Sequence, residues 1–439
     1  MKIIIASNQF MGHLNPLLAI GRILVDEGHD VVGLCGSTMR SKFEAIGAGF
    51  QPFPEGADHD TSDLSAIYPE FALMPPGLDK ARFSLERLFV DPMPAQHKGL
   101  MDLLEWFPAD LIIGENLLMG LLPMMLGPRA KRPAIVICGT TYLLWHREDR
   151  APIIGGFPPA EAEEEVGLDH PAAEAFDLAI TAPIRRAVDA RLAEIGARPL
   201  PKGVFDSLTD LPDAYLQLTT PEFEFPRNDL PSNLHFIGPL PIVPNQAPVP
   251  SWAHEVDGKR KVVLVTQGSV ANYDFGHLVA PTLAALAHEE DVLVVVTGGG
   301  RSTSAIPGVI PDNARLADYL PFEWMLPKVD AFVTNGGYGS VNQALSHGIP
   351  LVTAGLTEDK ADVNARVAWS GVGIDLQTHE PTPAALRDAV RRVLDTPDYR
   401  ARATALAHQM KAIDTKAKLL KILTSVTGLR TSDKSRKAA

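Results

Sequence analysis

An α/β chain of two consecutive domains, each a parallel sheet flanked by helices, is predicted by three observations. Apolar strand-like runs alternate with helix-like segments over residues 2–55, and the same rhythm restarts after residue 260. Between the two series lies PLPIVPNQAPVP, Pro239 to Pro250, with five prolines in twelve residues, a semi-rigid extended connection. Within the second series a short apolar run, Ala331 to Thr334, breaks into a glycine-rich turn and then a helix-like pattern. Strands separated by helices imply parallel sheets with right-handed crossovers. The chain therefore divides into two Rossmann-like domains, 1–240 and 252–415, with 241–251 as linker. Residues 416–439 are expected to form a C-terminal helix returning towards the first domain, followed by a disordered tail. Domains of this kind face each other across a cleft lined by strand C-terminal ends, where ligands sit.

The elements follow in order. KIIIAS, from Lys2, is a first strand. Leu14 to Glu27 has helical apolar spacing at Leu17, Leu18, Ile20, Ile23 and Leu24, and Gly28 stands where a helix stop is wanted. VVGLC is the second strand; Asp110 to Gly114, Ala134 to Cys138 and Ala214 to Leu218 are further strands. Asp58 to Pro108 and Trp145 to Leu211 are irregular and proline-rich, with some helix, and read as insertions over one sheet edge. After the linker come KVVLVT, a helix over Leu278 to Ala287, DVLVVVT, Ala331 to Thr334 and Leu351 to Val352. The helical stretch Arg400 to Val426 has no strand partner left, so it is expected to cross back onto the first domain.

Composition narrows the function. At about 100–200 residues per domain, 439 residues allow two to three domains. Hydrophobic residues at 46% and charged residues at 21% are the balance of a soluble globular protein. A net charge of −13 argues against nucleic-acid binding, and the basic run Lys434 to Lys437 reads as a solvated end. Cys35 and Cys138 lie in apolar runs and read as buried thiols; no CxxC or HExxH spacing suggests a metal. The longest apolar stretch, Leu111 to Leu126, carries Glu115 and Asn116 and is no membrane span. The N-terminus reads as a strand and not as a signal peptide, which makes the cytoplasm the simplest compartment.

The strand–turn–helix from Ala331 onwards carries the chemistry. Gly336, Gly337 and Gly339 precede or open a helix that starts near Ser340 and stops at Gly348-Ile349-Pro350. Unpaired N–H groups and the helix dipole point at one place there, and glycines let an anion approach. The second domain is thus predicted to bind a diphosphate.

Three motifs in this order resemble glycosyltransferase family 1, the GT-B-fold nucleotide-sugar transferases, and its bacterial natural-product branch above all. They are MGHLNP (Met11 to Pro16), VTQGSVAN (Val265 to Asn272) and LPFEWMLPKVDAFVTNGGYGSVNQALSHGIPL. The resemblance covers both halves. It implies an inverting, metal-independent transfer of a hexose from a UDP- or dTDP-sugar to a hydroxyl of a small, apolar acceptor. It brings no cofactor beyond that co-substrate. The expected partners are the acceptor and the nucleotide sugar, without nucleic acid or an integral membrane segment, for a monomer or weak homodimer.

Residue by residue, the resemblance makes His13 the general base and Glu115, in PADLIIGENL, the carboxylate that orients it. His13 is expected just before the first helix. Gly268 and Ser269 turn towards phosphate or form a plain turn. Asn335 replaces the family's histidine beside the first glycine; it can donate a hydrogen bond but carries no charge. Gln343 replaces a ribose-binding glutamate, which fits a deoxyribose donor or weaker donor binding. Trp324 either stacks near the base or sits in the core. Glu358 and Asp359 are read as sugar-hydroxyl acceptors and Lys360 as a phosphate neighbour, with the register open by one residue; the alternative is a solvated helix start. Met11, Phe83, Phe89, Leu117 and Trp145 are acceptor candidates, although residues of this kind are more often core.

Other readings are a catalytically silent partner of an active transferase, suggested by Asn335 and Gln343, and a UDP-GlcNAc epimerase, against which the GHLNP turn argues. A dinucleotide dehydrogenase does not fit, because the first strand leads into SNQFMGH and not GxGxxG.

Overall fold

The structure, a computed structural model, describes residues 1–61, 67–75, 77–159, 170–242, 247–268 and 272–428, with only the backbone of 71 and 72. The strands of the first sheet are β1 (Lys2–Ala6), β2 (Asp30–Cys35), β3 (Gly49–Pro52), β4 (Leu111–Glu115), β5 (Ala134–Gly139), β6 (Ala214–Gln217) and β7 (Leu234–Phe236). They lie in the order β3-β2-β1-β4-β5-β6-β7. The second sheet has β8 (Lys261–Thr266), β9 (Val292–Thr297), β10 (Ala314–Ala317), β11 (Ala331–Thr334), β12 (Leu351–Thr353) and β13 (Gly373–Asp375) in the order β10-β9-β8-β11-β12-β13. Every paired neighbour is parallel.

Both faces of the central strands are covered, and this explains their unbroken apolar runs. Ile3, Ile4, Ile5, Ile112 and Ile113 are fully buried in one sheet, and Val263, Leu264, Val265, Phe332 and Val333 in the other. The strands β3, β7, β10 and β13 were not predicted. All four are sheet edges, short and half-buried, and two of them begin with glycine.

Further differences have local causes. The first helix runs Met11–Asp26, a turn earlier than predicted, because the Phe10 carbonyl already accepts from the His13 and Leu14 amides. Pro16 is therefore in the second turn and not the first. The helix expected within the insertions includes π-helical turns at Leu85–Val90 and Asp177–Thr181. The final helical stretch is two helices, Pro397–Ala412 and Thr415–Thr427, broken at Ile413 and Asp414; the Asp414 carboxylate caps the second by accepting from the Ala417 amide at 2.9 Å.

That last helix packs on the first domain. Lys416 Nζ lies 2.7 Å from Glu27 Oε1, and Arg129 Nη2 donates to the Val426 carbonyl at 3.1 Å. At its start, Thr415 Oγ1 donates to the Pro239 carbonyl at 3.2 Å, so the linker and the returning chain touch. The basic tail lies outside the described residues. No helix among the described residues is long and apolar enough to cross a membrane.

Candidate active site

Strand order reverses between β1 and β4 in the first sheet and between β8 and β11 in the second. Such switch points open a crevice at the strand C-terminal ends. His13 follows β1 and Glu115 ends β4; Gly268 follows β8 and Asn335 follows β11. The candidates on the two domains therefore lie at the two switch points.

His13 Nδ1 lies 3.0 Å from Glu115 Oε2, with the imidazole side chain 20% exposed and the carboxylate fully buried. The same oxygen accepts from the Leu117 amide at 2.6 Å, and Asn8 Nδ2 donates to Oε1. Burial works against a charge on Glu115, but His13, the Leu117 amide and Asn8 outweigh it and hold the carboxyl below its usual range. Burial likewise disfavours imidazolium, yet Glu115 and then Asp359 prevail, so His13 is raised above the ordinary imidazole value. With Nδ1 turned to Glu115, Nε2 is the nitrogen left to face a reactant.

Polar residues absent from the sequence reading support this pair. Gln96 Nε2 donates to Asn8 Oδ1 at 2.8 Å, and Gln96 Oε1 accepts from the Gly120 amide at 3.0 Å. Asn8 and Gln96 are buried, so a relay Gln96–Asn8–Glu115–His13 fixes the carboxylate. Phe10 and Phe89 stand 5.9 and 5.5 Å from the imidazole, ring centre to ring centre, and a small cavity beside them is lined by Asn8, Phe10, Tyr68, Leu88 and Gln96.

On the second domain, the helix Tyr338–Ser346 starts at Gly337 without any side-chain cap. A Cβ at Gly339 would meet nothing within 4 Å, so the helix mouth is open. Its first turn faces the other domain, since Gln217 Nε2 at the end of β6 donates to the Tyr338 hydroxyl at 2.6 Å. Gly336 has φ +98° and a Cβ there would lie 1.8 Å from Asn364 Oδ1, so only glycine makes this turn. Ser340 and Gln343 are half-buried three residues apart on one helix face.

Several predicted contacts need correction. Asn335 does not simply project towards an anion: its Nδ2 donates to the Gln267 carbonyl at 2.7 Å, tying the turn after β11 to the turn after β8. Lys360 is buried with its ammonium committed to Glu358. That pairing, with the Thr357 hydroxyl, keeps the exposed Glu358 carboxyl below the usual carboxylate range. Trp145 is 4% exposed and packs on His146, 4.6 Å between ring centres, as a core residue. Phe83 packs on Tyr68 at 5.7 Å; Phe89 is the phenylalanine of the insertion that reaches His13. Trp324 is half-buried between Trp252 and the Lys328 ammonium. Met11 is half-buried at the start of its helix, and Leu117 is buried with its amide on Glu115. Ser269 lies outside the described residues.

Asp359 joins the two halves. Its Oδ2 accepts from Thr141 Oγ1, past the end of β5, at 2.7 Å, and its charge acts on His13. Asp359 and the uncapped helix Tyr338–Ser346 thus both meet the domain that carries the His13–Glu115 pair.

Comparison with known proteins agrees. Residues 281–426 match the C-terminal domain family described as erythromycin biosynthesis protein CIII-like. The chain is 35% identical to 4'-demethylrebeccamycin synthase of Lentzea aerocolonigenes over 415 residues, 94% of this chain and 96% of that one. It is also 35% identical to UDP-glycosyltransferase 2 of Phaeomoniella chlamydospora over 427 residues, 94% and 92% of the two chains. Among solved structures, the glycosyltransferase of kitacinnamycin superposes with a TM-score of 0.72 at 21% identity, covering 97% of this chain and 98% of that one. The chain belongs to glycosyltransferase family 1 and is a nucleotide-sugar-dependent glycosyltransferase of GT-B fold, related to the natural-product enzymes.

Proposed function

We propose that the enzyme transfers a hexose from a UDP- or dTDP-sugar to a hydroxyl of a small, apolar acceptor, with inversion. The His13–Glu115 pair carries this reading: one imidazole nitrogen is fixed on a buried carboxylate and the other is left for a reactant. In the single step the acceptor oxygen bonds to the anomeric carbon and the carbon–phosphate-oxygen bond breaks. The hydroxyl proton passes to His13 Nε2, and the nucleoside diphosphate leaves. Amides of the Tyr338 helix and its dipole would take up the leaving charge. The Glu358–Asp359 turn would accept hydroxyls of the sugar. Phe10 and Phe89, which pack on each other 5.6 Å apart beside the base, suit an apolar acceptor.

The similarity to a UDP-glycosyltransferase supports a nucleotide sugar of the UDP class as donor. The test has two parts. A thermal-shift panel of UDP- and dTDP-sugars identifies the donor, since a ligand at a hundredfold its Kd adds about 2.7 kcal/mol of stability. NMR of the glycoside then reads the anomeric configuration, and retention would exclude the single displacement.

A further inference from the structure

The helix Lys360–Trp369 makes a second set of contacts between the domains, distinct from the His13 pair. Arg366 Nε and Glu224 Oε2 are 2.7 Å apart, with each side chain 2% exposed. The guanidinium carbon also lies 4.4 Å from the Tyr142 ring centre and 4.2 Å from that of Phe225. One turn earlier, the buried Asp362 carboxylate accepts the Gly155 amide at 3.1 Å and the Gly156 amide at 2.9 Å. Gly156 has φ +73°, and a Cβ there would sit 2.9 Å from the Ala361 carbonyl, so the loop is built for close approach. At the head of the helix, Asp359 holds Thr141.

Asp359, Asp362 and Arg366 are spaced by three and four residues, which places them on one helix face. Each grips a different part of the acceptor domain: the turn after β5, the loop at Gly155 and Gly156, and Glu224 beyond β6. Buried ion pairs add little net stability when compared with apolar packing. Their fixed geometry is better suited to holding one arrangement.

We infer that Asp362 and Arg366 are positioning residues for glycosyl transfer: they clamp this helix face to the acceptor domain and so hold Asp359 on Thr141. The inference rests on the proposed roles of His13 and Asp359.

The test uses the full chain with Asp362→Asn, with Arg366→Lys, and with Arg366→Met paired to Glu224→Leu, which removes both members of the buried ion pair together. Asp362→Asn and the paired variant are expected to lose about 10²-fold in kcat, the scale of a small misplacement. Melting temperature does not fall in proportion. Arg366→Lys recovers part of the rate, and the Gly155 and Gly156 amides exchange faster in Asp362→Asn. Wild-type kcat in the folded paired variant, or a loss that follows melting temperature alone, would overturn the clamp. A wild-type chain without transfer would sink the transferase reading instead, and amide exchange at Gly155 and Gly156 would then decide the clamp by itself.

Discussion

Glu115 Oε2 receives both His13 Nδ1, at 3.0 Å, and the backbone amide of Leu117, at 2.6 Å, so the carboxylate that orients the imidazole is itself pinned by the chain that follows it. The base cannot rotate without releasing a buried charge. Replacing His13 should therefore remove proton transfer while leaving the donor site on the other domain intact. His13→Ala is expected to bind donor with an unchanged thermal shift and to lose about 10²–10⁴-fold in kcat. Donor-binding loss equal to the kinetic loss would contradict this.

Glu115→Gln keeps the volume and removes the charge. His13 then loses the main influence that raises it, so the acid limb of the rate profile moves to lower pH while kcat falls. The amide also leaves buried donors of Asn8 and Leu117 poorly met, at about 1–3 kcal/mol. Rate profiles and denaturant unfolding measure the two effects separately.

The pH dependences of rate and stability should oppose each other. Only neutral His13 accepts a proton, so kcat/KM rises with pH through a value above the ordinary imidazole range of about 6.5. Because the folded value is raised, the stabilisation from protonated His13 is complete below the unfolded value and is lost as pH rises through the folded one. Melting temperatures of wild type minus His13→Ala should thus fall across the interval in which activity climbs.

Two glycines separate folding from donor binding. Gly336→Ala forces a left-handed residue against Asn364, and should lower stability by about 1–3 kcal/mol. Gly339→Ala meets no neighbour and should raise helix stability by about 0.5–1 kcal/mol. It should also weaken donor binding by crowding the diphosphate. A Gly339→Ala chain with wild-type donor Kd would show that the anion does not approach there.

The relay behind the base predicts a longer-range effect. Asn8→Ala removes donors to Glu115 and Leu117 and the acceptor for Gln96. Stability should fall by about 1–3 kcal/mol, with a loss of kcat at temperatures where the chain remains folded. Unchanged kcat in folded protein would make the relay purely structural.

Legibility followed burial. Central strands such as KIIIA and KVVLVT carry continuous apolar runs because both faces are covered, and they were readable directly. Edge strands such as LHF and GID are covered less and carry no such run. His13, Glu115 and the glycine turn were readable because each lies in a short motif beside a strand. Asn8 and Gln96 were not: they meet across 88 positions, and no local spacing announces a contact set by tertiary packing. Trp145 had the composition of a ligand-binding residue, but aromatic composition alone does not tell a cleft wall from an interior.

The contact between Thr415 and Pro239 constrains how the enzyme can move. The backbone passes between the lobes twice, and Pro239, where the first passage begins, meets Thr415, where the second ends. Adjacent tethers permit rotation about the line they define and resist sliding or twisting. Any widening should therefore follow the motion of a book around its spine, with product escaping at the fore-edge and the bases of the lobes almost still.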